Sequence, residues 1–124
     1  MKQKPFTLPE IDFIGGSTQE LVFHCYSMKH ERPIDLSLCT ANFALVNFVN
    51  KNGNPLVEKE MEVCVDNDEG AANILKVVLS PKDTVGLNGK YIYQITIVDI
   101  AGVVEIPDQG IAYIFKNINH ACIS

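Results

Sequence analysis

Short runs of alternating apolar and polar residues recur along the chain, each closed by a cluster of Gly, Asn, Asp or Pro. Leu21, Phe23 and Cys25 alternate with Val22, His24 and Tyr26; Ala41, Phe43 and Leu45 alternate with Asn42, Ala44 and Val46. This period of two is that of a half-buried strand. Further strands are predicted from Glu60 to Asp66, with Met61, Val63 and Val65 on one side, from Ile74 to Ser80, and from Lys90 to Asp99. Val103 to Ile106 and Ile111 to Ile118 complete the set. Phe6 to Ile14 is apolar but interrupted by Pro9, which suits an edge, where a missing N–H is tolerated. Arg32 to Ser37 reads as a polar turn and a short extended piece. Turns are expected at Gly15-Gly16-Ser17-Thr18, Asn50 to Pro55 and Asn67 to Gly70, because Gly and Asn tolerate positive φ. Ser80-Pro81-Lys82-Asp83 predicts a single helical turn with Pro in its first position. No helical periodicity extends further. The pattern predicts an all-β, antiparallel β-sandwich of about seven to nine strands.

Asp83 to Ile97 carries the most specific local signal. A Gly- and Asn-rich turn runs into a strand with Tyr91, Tyr93, Ile95 and Ile97 on one face. Leu87-x-Gly89-x-Tyr91-x-Tyr93 resembles the corner that opens the F strand of an immunoglobulin-like sandwich, where a Tyr hydroxyl bonds back to the preceding turn. Leu87, Gly89, Tyr91, Tyr93 and Phe43 are therefore the expected corner and core residues. Tyr93 stands where an antibody domain would have its second Cys, so packing must replace the usual inter-sheet disulfide.

At 124 residues, 47% of them apolar, the chain is read as one domain, residues 1–124, burying roughly two thirds of its unfolded surface. The net charge of −5, with no cluster of Lys or Arg, argues against nucleic acid and against a basic membrane-surface helix. No apolar run reaches the length of a membrane span, and Pro9, Glu10 and Asp12 interrupt any signal-peptide reading of the N-terminus. The expectation is a protein that stays in the cytoplasm or leaves the cell by lysis inside a particle. Cys25, Cys39, Cys64 and Cys122 are then read as reduced packing residues.

Candidate chemistry is sparse. Zinc ligands come in close pairs; among His24, His30, His120 and the four Cys only His24-Cys25 and His120-Ala121-Cys122 lie close, and His24 and Cys25, adjacent in a strand, point to opposite faces and cannot both ligate one ion. Asp66 to Gly70 resembles a calcium loop but has Lys76 where the closing Glu belongs. Gly15-Gly16-Ser17-Thr18 lacks the Gly-Lys-Ser/Thr of a phosphate loop. No catalytic, cofactor-binding or metal-ligating residue is expected, and no cofactor.

Four segments in order resemble the N-terminal immunoglobulin-like domain of phage baseplate upper proteins and related phage tail proteins. They are the Gly-Ser-Thr turn with Leu21-Val22-Phe23; Arg32 to Ser37 with Thr40 to Leu45; Leu79 to Thr84 with Leu87 to Ile95; and Asp99 to Gly102 with Gly110 to Ile118. The resemblance implies a non-catalytic structural module of a phage or prophage tail, homo-oligomeric, in contact with other tail or baseplate proteins. Its place would be the bacterial cytoplasm during assembly and the virion tail afterwards. Such modules use strand edges, here Pro5 to Ile14 and Ile111 to Ile118, and outward apolar residues, for which Ile114 and Ile118 are the candidates. A different class of function stays open: an immunoglobulin-like module binding carbohydrate or a cell-surface ligand, although Trp is absent and aromatics total only 8%.

Overall fold

The computed structural model of the protein describes residues 8–27, 32–33, 36–49, 54–66, 71–106 and 109–119. Residues 50–53 of the turn predicted from Asn50 to Pro55, the turn predicted at Asn67 to Gly70, and His30, His120 and Cys122 lie outside the described residues.

Alternating side chains and Gly/Pro punctuation produce strands β1 (Ile11–Ile14), β2 (Gln19–His24), β3 (Tyr26–Ser27), β4 (Arg32–Pro33), β5 (Thr40–Asn47), β6 (Val57–Asp66) and β7 (Ala71–Leu79). Helical turn α1 (Pro81–Thr84) follows, then β8 (Gly89–Val98), β9 (Val104–Glu105) and β10 (Gln109–Phe115). The protein is an all-β sandwich. Neighbouring strands run in the order β1-β10-β8-β5-β6-β7-β2, with β9 beside β8; β3 and β4 form a separate ribbon. Strand β6 belongs to both layers: Val57 to Met61 pair with β5, and Glu62 to Asp66 pair with β7 across a register shift. One layer is β1-β10-β8-β5 with the first half of β6, and the other is the second half of β6 with β7 and β2.

Three features depart from the sequence reading. The β1–β10 pair is parallel, although the other pairs are antiparallel. Strand β10 is not an edge, because β1 covers it on one side and β8 on the other. The alternation of β6 also fails at Val65: Val63 still packs against the core opposite the buried Leu75, but Val65 is exposed where the β6–β7 register shifts between Cys64 and Asp66.

The core is built from the predicted inner faces. Phe43, Leu45, Tyr91, Tyr93, Ile95 and Ile97 are all buried, joined from the other layer by Phe23, Leu75, Val77 and Leu79. At its centre the Tyr93 ring lies 5.6 Å from Phe43 in a stacked pair and 5.7 Å from Phe23 of the opposite layer. Aromatic pairs at these separations contribute about 0.5–1.5 kcal/mol beyond the area they bury. The Tyr93 hydroxyl donates to the Pro9 carbonyl, which ties the segment leading into β1 to the core. This aromatic cluster spans the layers where a disulfide otherwise would. Cys25 is fully buried beside it, and burial pushes its thiol up to about 12, so it stays protonated and unreactive.

The corner at the start of β8 forms as its sequence suggests. Gly89 adopts φ +121°, a conformation that side chains with a Cβ rarely take, and Leu87 packs against the core from its margin. The Asn88 N–H donates to the Tyr91 hydroxyl at 2.8 Å, and that hydroxyl lies 3.2 Å from the Asn88 carbonyl, to which it donates. Tyr91→Phe leaves the buried ring in place and removes both bonds. It is expected to cost about 1 kcal/mol or more in denaturant unfolding. An unchanged midpoint would remove the corner from the account.

Turn α1 closes one end of the sandwich. The Asp83 carboxylate accepts from the Ser80 N–H at 2.7 Å and the Ser80 hydroxyl at 3.0 Å, and pairs with Lys59 at 3.0 Å. Burial raises its pKa, but the Ser80 bonds and the Lys59 ammonium outweigh that effect and hold it below its ordinary value of 3.8. A depressed folded pKa gives stability that is fully present above 3.8 and is lost as pH falls through the lower folded value. Melting temperatures taken from about pH 6 down to about pH 2 should therefore fall less steeply for Asp83→Asn than for the wild type. Parallel curves would contradict the assignment.

Candidate functional site

Where the inner faces are closed by packing, the outer faces are where the chain meets other molecules. On the larger layer, the outward side chains form cross-strand rows fixed by register. Val46, Ile92 and Ile111 make one row across β5, β8 and β10. The next row holds Lys90, Tyr113 and Asp12 on β8, β10 and β1. Beyond it, Phe115 lies beside Ile14. Phe115 and Ile14 are 54% and 56% exposed and Tyr113 is 37% exposed, so these residues form an uncovered apolar surface rather than the rim of the core. Toward the other end of the same face the rows become polar: Gln109, Gln94, Ala44 and Glu58, then Thr96, Asn42 and Glu60.

The surface is held rigidly. The Lys90 ammonium sits 4.0 Å from the centre of the Phe48 ring, and the Phe48 N–H donates to the Lys90 carbonyl at 3.2 Å. Behind it, the turn between β1 and β2 is fastened down. Gly15 N–H donates to the Phe115 carbonyl at 2.9 Å, Gly16 N–H to the Thr84 hydroxyl at 2.9 Å, and the Asn117 amide to the Gly15 carbonyl at 2.8 Å. These bonds engage the Gly15 and Gly16 amides within the fold, as a turn rather than a phosphate cradle would.

The interface residues expected from the sequence are placed differently. Ile114 is 1% exposed and belongs to the core; it is not an interface residue. The phase of β10 is set by volume. Gly110 and Ala112 face inward because the Tyr93 ring fills the space a larger side chain would need, and Ile114 shares their side. That turns Ile111, Tyr113 and Phe115 outward. Ile118 is 96% exposed but follows the end of β10, off the sheet face. The missed signal lies in the sequence: two small residues at spacing two, opposite a bulky aromatic strand, mark the inward side.

A second exposed apolar group lies at the hairpin between β8 and β9. Ile100, Val103, Val104 and Ile106 are exposed there, and Leu38 is exposed just before β5, which begins level with the end of β8. The tip is rigid, because Asp99 Oδ1 accepts from the Ala101 and Val103 N–H groups, both at 2.9 Å.

His24 is exposed and Cys25 buried, as opposite faces of a strand require. Among the described residues no three His, Cys, Asp or Glu side chains are grouped to hold a metal ion, and no helix is long and apolar enough to cross a membrane. Two comparisons with known proteins, against family models and against curated sequences, find no match to the chain.

Proposed function

We propose that this chain is a non-catalytic structural module that works through protein–protein contacts, as a baseplate-type component of a phage or prophage tail. The observation that carries this reading is the exposed apolar surface of Ile14, Tyr113 and Phe115, continued by the half-buried Ile92 and Ile111, on a sheet face whose central strand β10 is paired on both sides. Exposed apolar side chains gathered on one rigid face favour a partner surface over bulk water. The tail assignment rests on the four ordered sequence segments that resemble phage tail proteins. On this reading the protein folds in the bacterial cytoplasm and ends in the virion tail.

The test is co-expression with the products of the genes that flank this reading frame. The expected result is tail-type neighbours and a stable complex that Phe115→Asp disrupts while leaving the melting temperature nearly unchanged. Metabolic or adhesion-type neighbours, together with saturable binding to bacterial cell-wall glycans, would favour the carbohydrate- or surface-binding module instead.

A further inference from the structure

The charges that flank the apolar surface are arranged so that it complements itself. Strand β10 supplies the central column, Ile111, Tyr113 and Phe115. In the row of Tyr113, the strand on one side carries Asp12 and the strand on the other carries Lys90. Both are exposed, and among the described residues neither has an ion-pair partner. The opposite signs therefore stand at equal offsets, one strand away, on either side of a single apolar column.

We propose that a second copy of this chain docks on this face, related by a two-fold axis that runs parallel to β10 and passes between the facing Tyr113 residues. This rests on the reading of the face as an interface and names its occupant. A rotation about that axis keeps each residue's level along the strand and exchanges the two sides of β10. Tyr113 then meets Tyr113, Phe115 lies by Phe115, and β1 of one copy covers β8 of the other. Each Asp12 consequently faces a Lys90 of its mate, twice per dimer, as an isologous contact requires. An axis perpendicular to the strands does not keep these levels and does not pair the charges. The contact of Lys90 with the Phe48 ring holds its ammonium on this face, so less side-chain freedom is lost on pairing.

The test is charge exchange, read by sedimentation equilibrium on the full-length protein. Wild type is expected to be a reversible dimer. Asp12→Lys and Lys90→Glu each convert two attractions into two repulsions and should weaken the dimer about tenfold or more. An equimolar mixture of these two variants should regain the wild-type affinity as a heterodimer. In that heterodimer the two substituted side chains face each other with opposite charges, and the unsubstituted Asp12 faces the unsubstituted Lys90. Melting temperatures of both variants should stay near the wild-type value. A wild type that is monomeric at every concentration overturns the proposal, as does a dimer indifferent to both substitutions or one that the mixture does not restore. If the wild type is monomeric and Phe115→Asp still abolishes a complex with a flanking gene product, the face remains an interface and only its occupant is wrong. If both measurements fail, the reading of the face fails with them.

Discussion

Replacing Gly110 by Ala is expected to destabilise the protein more than any other single added methyl group on β10. A Cβ at this position would lie 2.4 Å from Tyr93 Cζ, 2.5 Å from Cε1 and 2.6 Å from the hydroxyl oxygen. Real Cβ contacts do not come so close, so either the ring or the strand must move. The ring has little freedom: Phe43 stacks on it, Phe23 packs against it from the other layer, and its hydroxyl is bonded to the Pro9 carbonyl. Strand β10 is held as well, paired with β8 from Gln109 to Ile114 and with β1 from Ala112 to Phe115. Overpacking of this kind costs about 1–3 kcal/mol and sometimes more. Against a total stability of about 5–15 kcal/mol, the loss should appear as a fall in melting temperature on the order of 10 °C. A double-mutant cycle identifies the cause. In a Tyr93→Leu background the clashing ring atoms are gone, and Gly110→Ala should cost far less there, giving a coupling of about 1 kcal/mol or more. Additive effects would place the strain elsewhere.

Tyr93→Ala is the second large effect, and it acts by the opposite mechanism. The side chain is fully buried, and its removal leaves a cavity between Phe43 and Phe23. Truncation of a buried aromatic costs about 3–5 kcal/mol. It also frees the Pro9 carbonyl, so the segment before β1 loses its tie to the core. Tyr93→Phe separates the two contributions, keeping the ring and removing only the hydroxyl at a cost of about 1 kcal/mol. Equilibrium unfolding of the pair should therefore show a wide gap between Ala and Phe. Near-equal losses would mean that the hydroxyl, not the packing, dominates.

Much of the fold was legible because local chemistry and tertiary demand agree in these segments. Pro81 after Ser80 starts the helical turn, Gly89 supplies the positive φ of the corner, and the alternation through Phe43 and Tyr93 places both rings inside. Other features were hidden because they depend on what a strand packs against. Val63 and Val65 share a period-two phase with Met61, and Val63 does pack against the core, yet Val65 emerges into solvent where the β6–β7 register shifts between Cys64 and Asp66. In β10 every second residue from Ile111 to Phe115 is as apolar as its neighbours, so hydropathy could not choose the phase. The choice is made by the size of Tyr93 on β8, which only Gly110 can accommodate. That single contact moves Ile114 into the core and brings Tyr113 and Phe115 to the surface, and so decides which residues can meet a partner.

The most direct test of the outer face as the working surface is a backbone amide chemical-shift map recorded as the protein is concentrated and, separately, as a flanking gene product is added. The account predicts that the perturbed amides cluster on Asp12, Ile14, Lys90, Ile92, Ile111, Tyr113 and Phe115, and that concentration alone moves them. Perturbations confined to the β2–β7 layer or to the Asp99–Val103 hairpin, with this row of residues unmoved in both titrations, would contradict it.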